Sequence, residues 1–441
     1  MSGTELEERI DAVIIGAGAR GNRVFAELMR TRALGWKVAA VVEPHEDRRE
    51  AFRAEHGLPE NRAYASMEAF LEGPRAGDVA FICTPDVTHY RICADVSAAG
   101  YDVLLEKPIA TSLPDMLALL DVQQTHGNRI FVAHVLRYAP FFRTIKEIVA
   151  SRRYGLVRNI RLTENVGHWH FAHSYVRGSW RRRADAAPII LTKSSHDLDL
   201  IAWLMEEDRP AFVSSFGSLE YFTGKNAPPE ATERCVTCPL QDSCLYSATR
   251  FYVHEAPGWP FDVVAPGAPP AEREEARRQA IETGPYGRCV WKSDNDVCDN
   301  QTVSVHFESG VHARFGLYAL TADNTRRITV LMDGAELTGD LHQGRLTLFP
   351  FSGRVDEIIT EPVPVPPAED HHGGGDLALL QTLHAHLTRG EHKEIMTSLH
   401  GSVASHVLAF LADESRRKGG APLPVPAIFE RIRQPPAHAD G

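Results

Sequence analysis

Six residues near the start of the chain, Gly16-Ala17-Gly18-Ala19-Arg20-Gly21, restrict the fold more than any others. They follow Asp11-Ala-Val-Ile-Ile15, an apolar run with the composition of a buried strand. They precede a stretch, about 22–30, that reads as helix. A G-x-G-x-x-G hexapeptide in that setting predicts a dinucleotide-binding turn. Gly16 is expected to allow the tight turn, Gly18 to let backbone approach a pyrophosphate, and Gly21 to let helix and strand pack closely. Ala19 and Arg20 open the helix, whose N–H groups and dipole favour phosphates. Glu43 ends a second β-branched run, Lys37 to Val42. An acid there accepts hydrogen bonds from ribose hydroxyls and repels a 2′-phosphate, so NAD is preferred to NADP. Arg48 and Arg49 stand near and keep NADP as the lesser alternative.

Further apolar runs at Val79–Cys83, Val103–Leu105 and Ile130–Ala133 alternate with helical stretches at about 46–56, 89–99 and 114–126. Strands separated by helices of this length predict βαβ units and a doubly wound parallel sheet. Residues 1–138 are therefore assigned to an NAD-binding Rossmann domain. The texture then changes. Val157–Glu164, Ala211–Leu219, Thr302–Glu308, Val311–Tyr318 and Arg327–Leu331 alternate with period two. They predict a second α/β domain, 139–441, with a largely antiparallel or mixed sheet. A Cys-rich insertion occupies about 225–300, and Pro-Val-Pro-Val-Pro-Pro at 362–367 reads as an extended connector. Helices are expected at 376–387 and 397–417.

With 441 residues, two domains are the natural division. A net charge of −11 gives no basic footprint for nucleic acid. No window approaches the roughly 20 apolar residues of a membrane span. Met1 to Arg9 lacks the basic-then-apolar pattern of a secretory leader. A cytoplasmic location follows, where seven cysteines are thiols or metal ligands. Cys235, Cys238 and Cys244 form C-x2-C-x5-C, and Cys289 or Cys298 completes four sulfurs. Such a set suits structural zinc, stapling an insertion too polar to build its own core. An iron–sulfur cluster fits the ligands as well, and unliganded thiols are the alternative.

Cys83-Thr84-Pro85 with His89, then Glu106-Lys107-Pro108, stand at or beyond the ends of the third and fourth strands. Together with Gly16–Gly21, these residues resemble the Gfo/Idh/MocA oxidoreductases, the family of glucose–fructose oxidoreductase, inositol dehydrogenase and rhizopine catabolism. The resemblance covers the Rossmann domain and runs on into Arg137-Tyr138-Ala139-Pro140, which is similar to the family's interdomain segment. It implies a C-terminal α/β domain whose open, largely antiparallel sheet lies under the substrate site and mediates oligomers. It also implies hydride transfer between NAD(P) and a sugar or cyclitol carbon, with Thr84, Pro85, His89, Glu106 and Lys107 around the cofactor. It implies Lys107 as the catalytic lysine, and a cis Pro108 would fix its turn. The family's second-domain motif, an aspartate, a histidine four on and an aspartate three further, maps onto Thr192, His196 and Asp199. Thr192 departs from the acid, and Lys193 beside it is a catalytic candidate that changes how the active-site proton is managed.

The residues themselves support this reading. An imidazole near pKa 6.5 suits proton exchange at neutral pH, so His196 is a candidate base. Asp199, three residues on, would share its helical face and orient the histidine or the substrate. The alternative is a helix-capping cluster. Residues 168–181 mix aromatics, histidines and arginines. His173, Tyr175, Arg177 and Trp180, with Arg137 and Tyr138, suit stacking on a sugar and binding an anionic group. His372, in His371-His372-Gly373-Gly374-Gly375-Asp376, is a further candidate. The expected activity is NAD-dependent oxidation of a secondary hydroxyl on a sugar, sugar acid or cyclitol, by a homo-oligomer. Two alternatives stand beside it. One is a glycoside hydrolase working by transient oxidation, elimination and re-reduction; the other is a non-enzymatic NAD-binding regulator.

Overall fold

Runs of β-branched and aliphatic residues become the central strands because both sheet faces are covered by helices. The computed structural model describes residues 8–32, 35–368, 371–391 and 397–425. Met1–Glu7, most of the segment read as lacking a leader, lie outside them. The first sheet contains β1 (Ile10–Ile15), β2 (Trp36–Val42), β3 (Ala63–Tyr64), β4 (Val79–Ile82), β5 (Asp102–Leu105) and β6 (Ile130–Val132). All are parallel, in the order β3-β2-β1-β4-β5-β6. The order reverses between β1 and β4, which opens a crevice beyond their carboxyl ends. Five of these strands were legible from composition. β3 was not, since two residues carry no period.

The second sheet contains β7 (Val157–Val166), β8 (Pro210–Ser218), β9 (Asn300–Phe307), β10 (His312–Tyr318), β11 (Asn324–Met332), β12 (Ala335–Asp340), β13 (Arg345–Pro350), β14 (Glu361–Val363) and β15 (Leu423–Pro424). Its order is β14-β13-β12-β11-β7-β10-β9-β8-β15. Only β7 and β10 pair in parallel; the remaining neighbours are antiparallel. One face lies on a core of helices, with Phe142, Ile145 and Leu198 against Ile160, Leu162 and Val330.

The last helices tie the two sheets together. In helix Gly375–Arg389, Leu379, Leu380 and Leu383 pack into the Rossmann core beside Ile14 and Phe81. Helix Leu399–Arg417 is divided along its length. Leu399, Val403 and Val407 join the Rossmann core, while Leu408, Ala409 and Ala412 join the core of the second sheet. The insertion departs from its expected character. Cys235, Ala248, Tyr252, Val264 and Ile281 form a small core of its own. Among the described residues, no helix is long and apolar enough to cross a membrane.

Candidate active site

The glycine turn has the form its spacing demands. Gly16 has φ +93°, and a Cβ there would lie 2.8 Å from the Cys83 carbonyl oxygen. A Cβ on Gly21 would stand 2.0 Å from the Gly16 carbonyl oxygen. Gly18 has nothing within 4 Å of where its Cβ would be, which leaves the space a pyrophosphate needs. Ala17 N donates to Glu43 Oε2 at 3.0 Å, so the turn and the acid hold one another. Helix formation starts at Ala19. The Arg20 guanidinium reaches Glu106 (2.5 Å) and Asp376 (2.7 Å), while its Nη1 is buried without a partner. An orphaned donor beside an open glycine turn fits a dinucleotide phosphate.

Two residues placed at the cofactor by the resemblance serve instead as internal braces. Glu106 accepts from Arg20 and from the Lys107 backbone N–H, so its oxygens are engaged. His89 is fully buried, and both ring nitrogens meet protein carbonyls. Neither side chain is free for a ligand. Thr84 Oγ1 takes a hydrogen bond from Thr88 Oγ1 at 2.7 Å, and Pro85 leads into the turn Asp86–Thr88.

Lys107 stands just beyond β5, and the Lys107–Pro108 peptide is cis, as expected. Its Nζ donates to the Thr192 carbonyl oxygen at 2.5 Å. Burial pushes its pKa below the usual lysine value; Lys193 and Arg20 add to the push, and Asp86 and Glu106 oppose it. His196 lies in the first turn of helix Ser195–Leu204, with Nδ1 buried and unpartnered. Burial, and then Lys107 and His134, hold its pKa well below 6.5. It therefore stays a neutral imidazole at neutral pH. The His372 ring lies 6.1 Å from the His196 ring. His372 is fixed by a left-handed backbone, φ 53°, and by Asp376 at 2.7 Å. Burial works against the Asp376 carboxylate, yet Arg20 and His372 hold its pKa far down.

Lys193 and Asp199 are both engaged by ion pairs within the protein. Lys193 Nζ is 3.1 Å from Glu164 Oε1 on β7, inside a network with Arg326 and Asp197. Its ammonium is held by that ion pair, and it acts on Lys107 only through its charge. Asp199 receives both arms of Arg137 at 2.6 Å each. Arg137 is thereby paired with Asp199, which also lies 3.7 Å from His134 Nε2. The shared face of i and i+3 is broad enough for the two side chains to diverge.

Of the aromatic segment, only part faces the cleft. Trp180 Nε1 donates to Asp86 Oδ2 of the Rossmann domain at 3.1 Å and so bridges the domains. Tyr175 stacks toward Trp180, and the charges of Glu164 and Asp86 reach it. Tyr138, His173 and Arg177 are structural. Tyr138 is buried, and its hydroxyl accepts from Thr397 N at 3.0 Å. His173 stacks on Tyr286 at 4.8 Å and bonds the Tyr252 hydroxyl, and burial takes its pKa to about 3. Arg177 is buried against the Arg288 and Tyr246 carbonyl oxygens, anchoring the insertion.

Cys235, Cys238, Cys244 and Cys289 line one cavity of about 20 Å³. Among the described residues, however, no group of three or more His, Cys, Asp or Glu side chains is arranged to hold a metal ion. The arrangement brings the four expected cysteines together but does not support the zinc expectation. A metal needs thiolates. Burial raises the pKa of Cys244 and Cys289, while Arg177, whose Nη2 faces the Cys235 sulfur at 3.5 Å, works toward the thiolates. Cys298 packs in the core of the second sheet.

Several site residues carried no signal in the sequence. Thr192 contributes a backbone carbonyl, which no side-chain motif reveals. His134 is fully buried between the His196 and His406 rings, 5.8 and 5.3 Å away. Asp197, pushed up to about 6 by burial against the pull of Arg326, sits inside the expected motif yet faces the sheet. Charges within strands, Glu164 and Arg326, were the one available hint.

Residues 10–134 match the model of an oxidoreductase family with an NAD-binding Rossmann fold, GFO_IDH_MocA. The match covers nearly all of the Rossmann domain. The oxidoreductase YteT of Bacillus subtilis is 25% identical over 346 residues, which span 72% of this chain and 75% of YteT. An inositol 2-dehydrogenase of Ralstonia nicotianae is 28% identical over 44% of this chain; the chain spans about half of that relative, 54%. A levoglucosan dehydrogenase solved with NADH and levoglucosan has the same fold: TM-score 0.68 and 14% identity, over 95% of this chain and 100% of that one. The chain is thus similar, over its first domain, to oxidoreductases with an NAD-binding Rossmann fold. The further steps concern its substrate and its chemistry.

Proposed function

We propose that the chain is a dehydrogenase that uses NAD to oxidise a secondary hydroxyl of a sugar, sugar acid or cyclitol. One observation carries the reading: Lys107, His196 and His372 converge from separate parts of the chain beyond the carboxyl end of β5. Ligands of open α/β sheets bind at that edge. The inositol and levoglucosan dehydrogenases among the relatives support the substrate class.

Oxidising an alcohol needs an acceptor for hydride and another for the proton. NAD, when bound, supplies the first at its nicotinamide ring. The chain supplies the second. Lys107, with its ammonium destabilised by burial, accepts the hydroxyl proton at Nζ as the amine. His196, kept neutral, holds the same hydroxyl by hydrogen bonding. Glu43 supports NAD over NADP. Arg48 Nη2 lies 3.1 Å from Glu43 Oε1, and Arg49 Nη1 donates to the Glu43 carbonyl oxygen at 2.9 Å, so both arginines are engaged by Glu43.

In this reading residues 1–138 bind the cofactor and 139–441 the substrate, with the helices after 375 shared between them. Seven unpaired cysteines support a reducing, cytoplasmic setting. Phe212, Phe216 and Tyr318, exposed on one face of the second sheet, support a homo-oligomer.

The test is absorbance at 340 nm with NAD and a panel of sugars, sugar acids, cyclitols and glycosides. A rise is expected, reduced roughly 10²–10⁴-fold in Lys107→Ala and His196→Ala. Aglycone release without net NADH would replace this reading by a redox-cycling hydrolase.

A further inference from the structure

His89 is a fully buried histidine that the chemistry above does not use. It opens helix His89–Ala98, directly after the turn Asp86–Thr88. Its Nδ1 lies 2.7 Å from the Pro108 carbonyl oxygen, and its Nε2 lies 3.0 Å from the Thr84 carbonyl oxygen. Both partners are carbonyls, which only accept. A neutral imidazole has one N–H, so its second nitrogen would press a lone pair against a carbonyl oxygen. Only the imidazolium donates to both. Charge-assisted bonds of this kind are short and strong, as the 2.7 Å contact is. Burial raises the Asp86 pKa, and the charges of His89 and Lys107, with the hydrogen bond from Trp180, pull the other way and favour its carboxylate. The other charges at this corner are Glu106, Lys107 and Arg20, which act on one another there.

The two carbonyls belong to different turns. Thr84 follows β4 and borders the cofactor crevice. Pro108 follows Lys107 across the peptide bond after β5. One ring therefore spans the cofactor turn and the catalytic turn. From the other side, His406 Nε2 accepts from the Ile109 backbone N–H at 3.1 Å, so the segment Lys107–Ile109 is held between two histidines. His406 donates from Nδ1 to the Ser402 carbonyl oxygen at 2.9 Å and satisfies both contacts as a neutral ring. His89 cannot do the same.

We propose that His89 is a doubly protonated positioning residue, which sets Lys107 against the cofactor turn without touching cofactor or substrate. The inference rests on the reading of Lys107 as the proton acceptor, but the protonation of the ring is testable without it.

The experiment uses the full-length protein, labelled with 15N-histidine and saturated with NAD, at pH 7.5. The His89→Gln spectrum assigns the signal, with His89→Asn as a second variant. Two imidazolium nitrogens, each bearing a proton, are expected. A ring with a single protonated nitrogen overturns the proposal. The kinetic arm uses whichever sugar or cyclitol gives the largest 340 nm rise. His89→Gln is expected to lower kcat about 10–100-fold, the scale of a 1 Å misplacement, with the NAD dissociation constant changed by less than about twofold. An unchanged kcat, or a loss of NAD affinity as large as the loss in kcat, overturns the positioning role. A doubly protonated ring in a protein whose Lys107→Ala variant stays active would instead count against the reading of Lys107.

Discussion

Lys107 shows how a single side chain acquires chemistry from its surroundings. A lysine at a strand end in water is a stable cation. Here burial, with Lys193 and Arg20 nearby, favours the amine. The sign of the pH dependence follows. The amine is the form that accepts a proton, so oxidation should rise with pH along a limb set below 10.5, the ordinary lysine value. Lys193→Met removes one of the charges that depress it. We expect the limb in kcat/KM to move to higher pH in that variant, as read from a pH–rate profile. A limb that does not move would remove Lys193 from any electrostatic role. His196 differs in kind, because its lowered pKa keeps it neutral on the acid side of pH 6.5. It positions the hydroxyl rather than storing the proton.

At the scale of elements, the short turn before helix Gly375–Arg389 does most to complete the site. It carries His372 to His196 and Asp376 to Arg20, which ties the second domain to the glycine turn. Gly373 and Gly374 adopt φ +64° and +84°, a conformation open to glycine at no steric cost. Gly375 is constrained by space: a Cβ there would lie 2.3 Å from the Val135 carbonyl oxygen. Backbone cannot yield as a flexible side chain does. Gly375→Ala should therefore destabilise the fold by about 1–3 kcal/mol and displace His372 from His196. Thermal unfolding and kcat measured together test this. A variant as stable and as active as the parent would show that the turn is not the constraint described.

At the scale of the whole molecule, buried histidines make stability depend on pH. His134, His170, His173, His196 and His406 all have lowered pKa values, chiefly from burial. Above pH 6.5 the folded and unfolded chains both hold them neutral. Below it the unfolded chain binds protons that the fold refuses, so stability is lost as pH falls. Each histidine contributes a slope of up to about 1.4 kcal/mol per pH unit. Asp197, raised to about 6, and Asp86, also raised by burial, work in the opposite direction, as does a protonated His89, but they are fewer than the five histidines. Denaturant midpoints at pH 7.5 and 5.5 should differ clearly, with the acid value lower. Equal midpoints would contradict the burial of these rings.

The sequence by itself determined the Rossmann half of the molecule, because its signals are local. A glycine hexapeptide after a β-branched run, an acid at the next strand end and a Lys-Pro step are read within a few residues of one another. The structure places Gly16, Gly18, Gly21, Glu43 and Lys107 as that pattern requires. The alternating strands of the second sheet were legible for the same reason, since period two needs no distant partner. Tertiary structure alone decided the rest. Whether Arg137 faces a ligand or Asp199, whether Lys193 meets Glu164, and whether four cysteines hold a metal or surround a small void all depend on contacts between residues distant in the chain. The same holds for the Thr192 carbonyl beneath Lys107, 85 residues apart. Side-chain type states what a residue can do. Which partner it meets is fixed by the packing of helices and sheets, and no periodicity in the sequence encodes that choice.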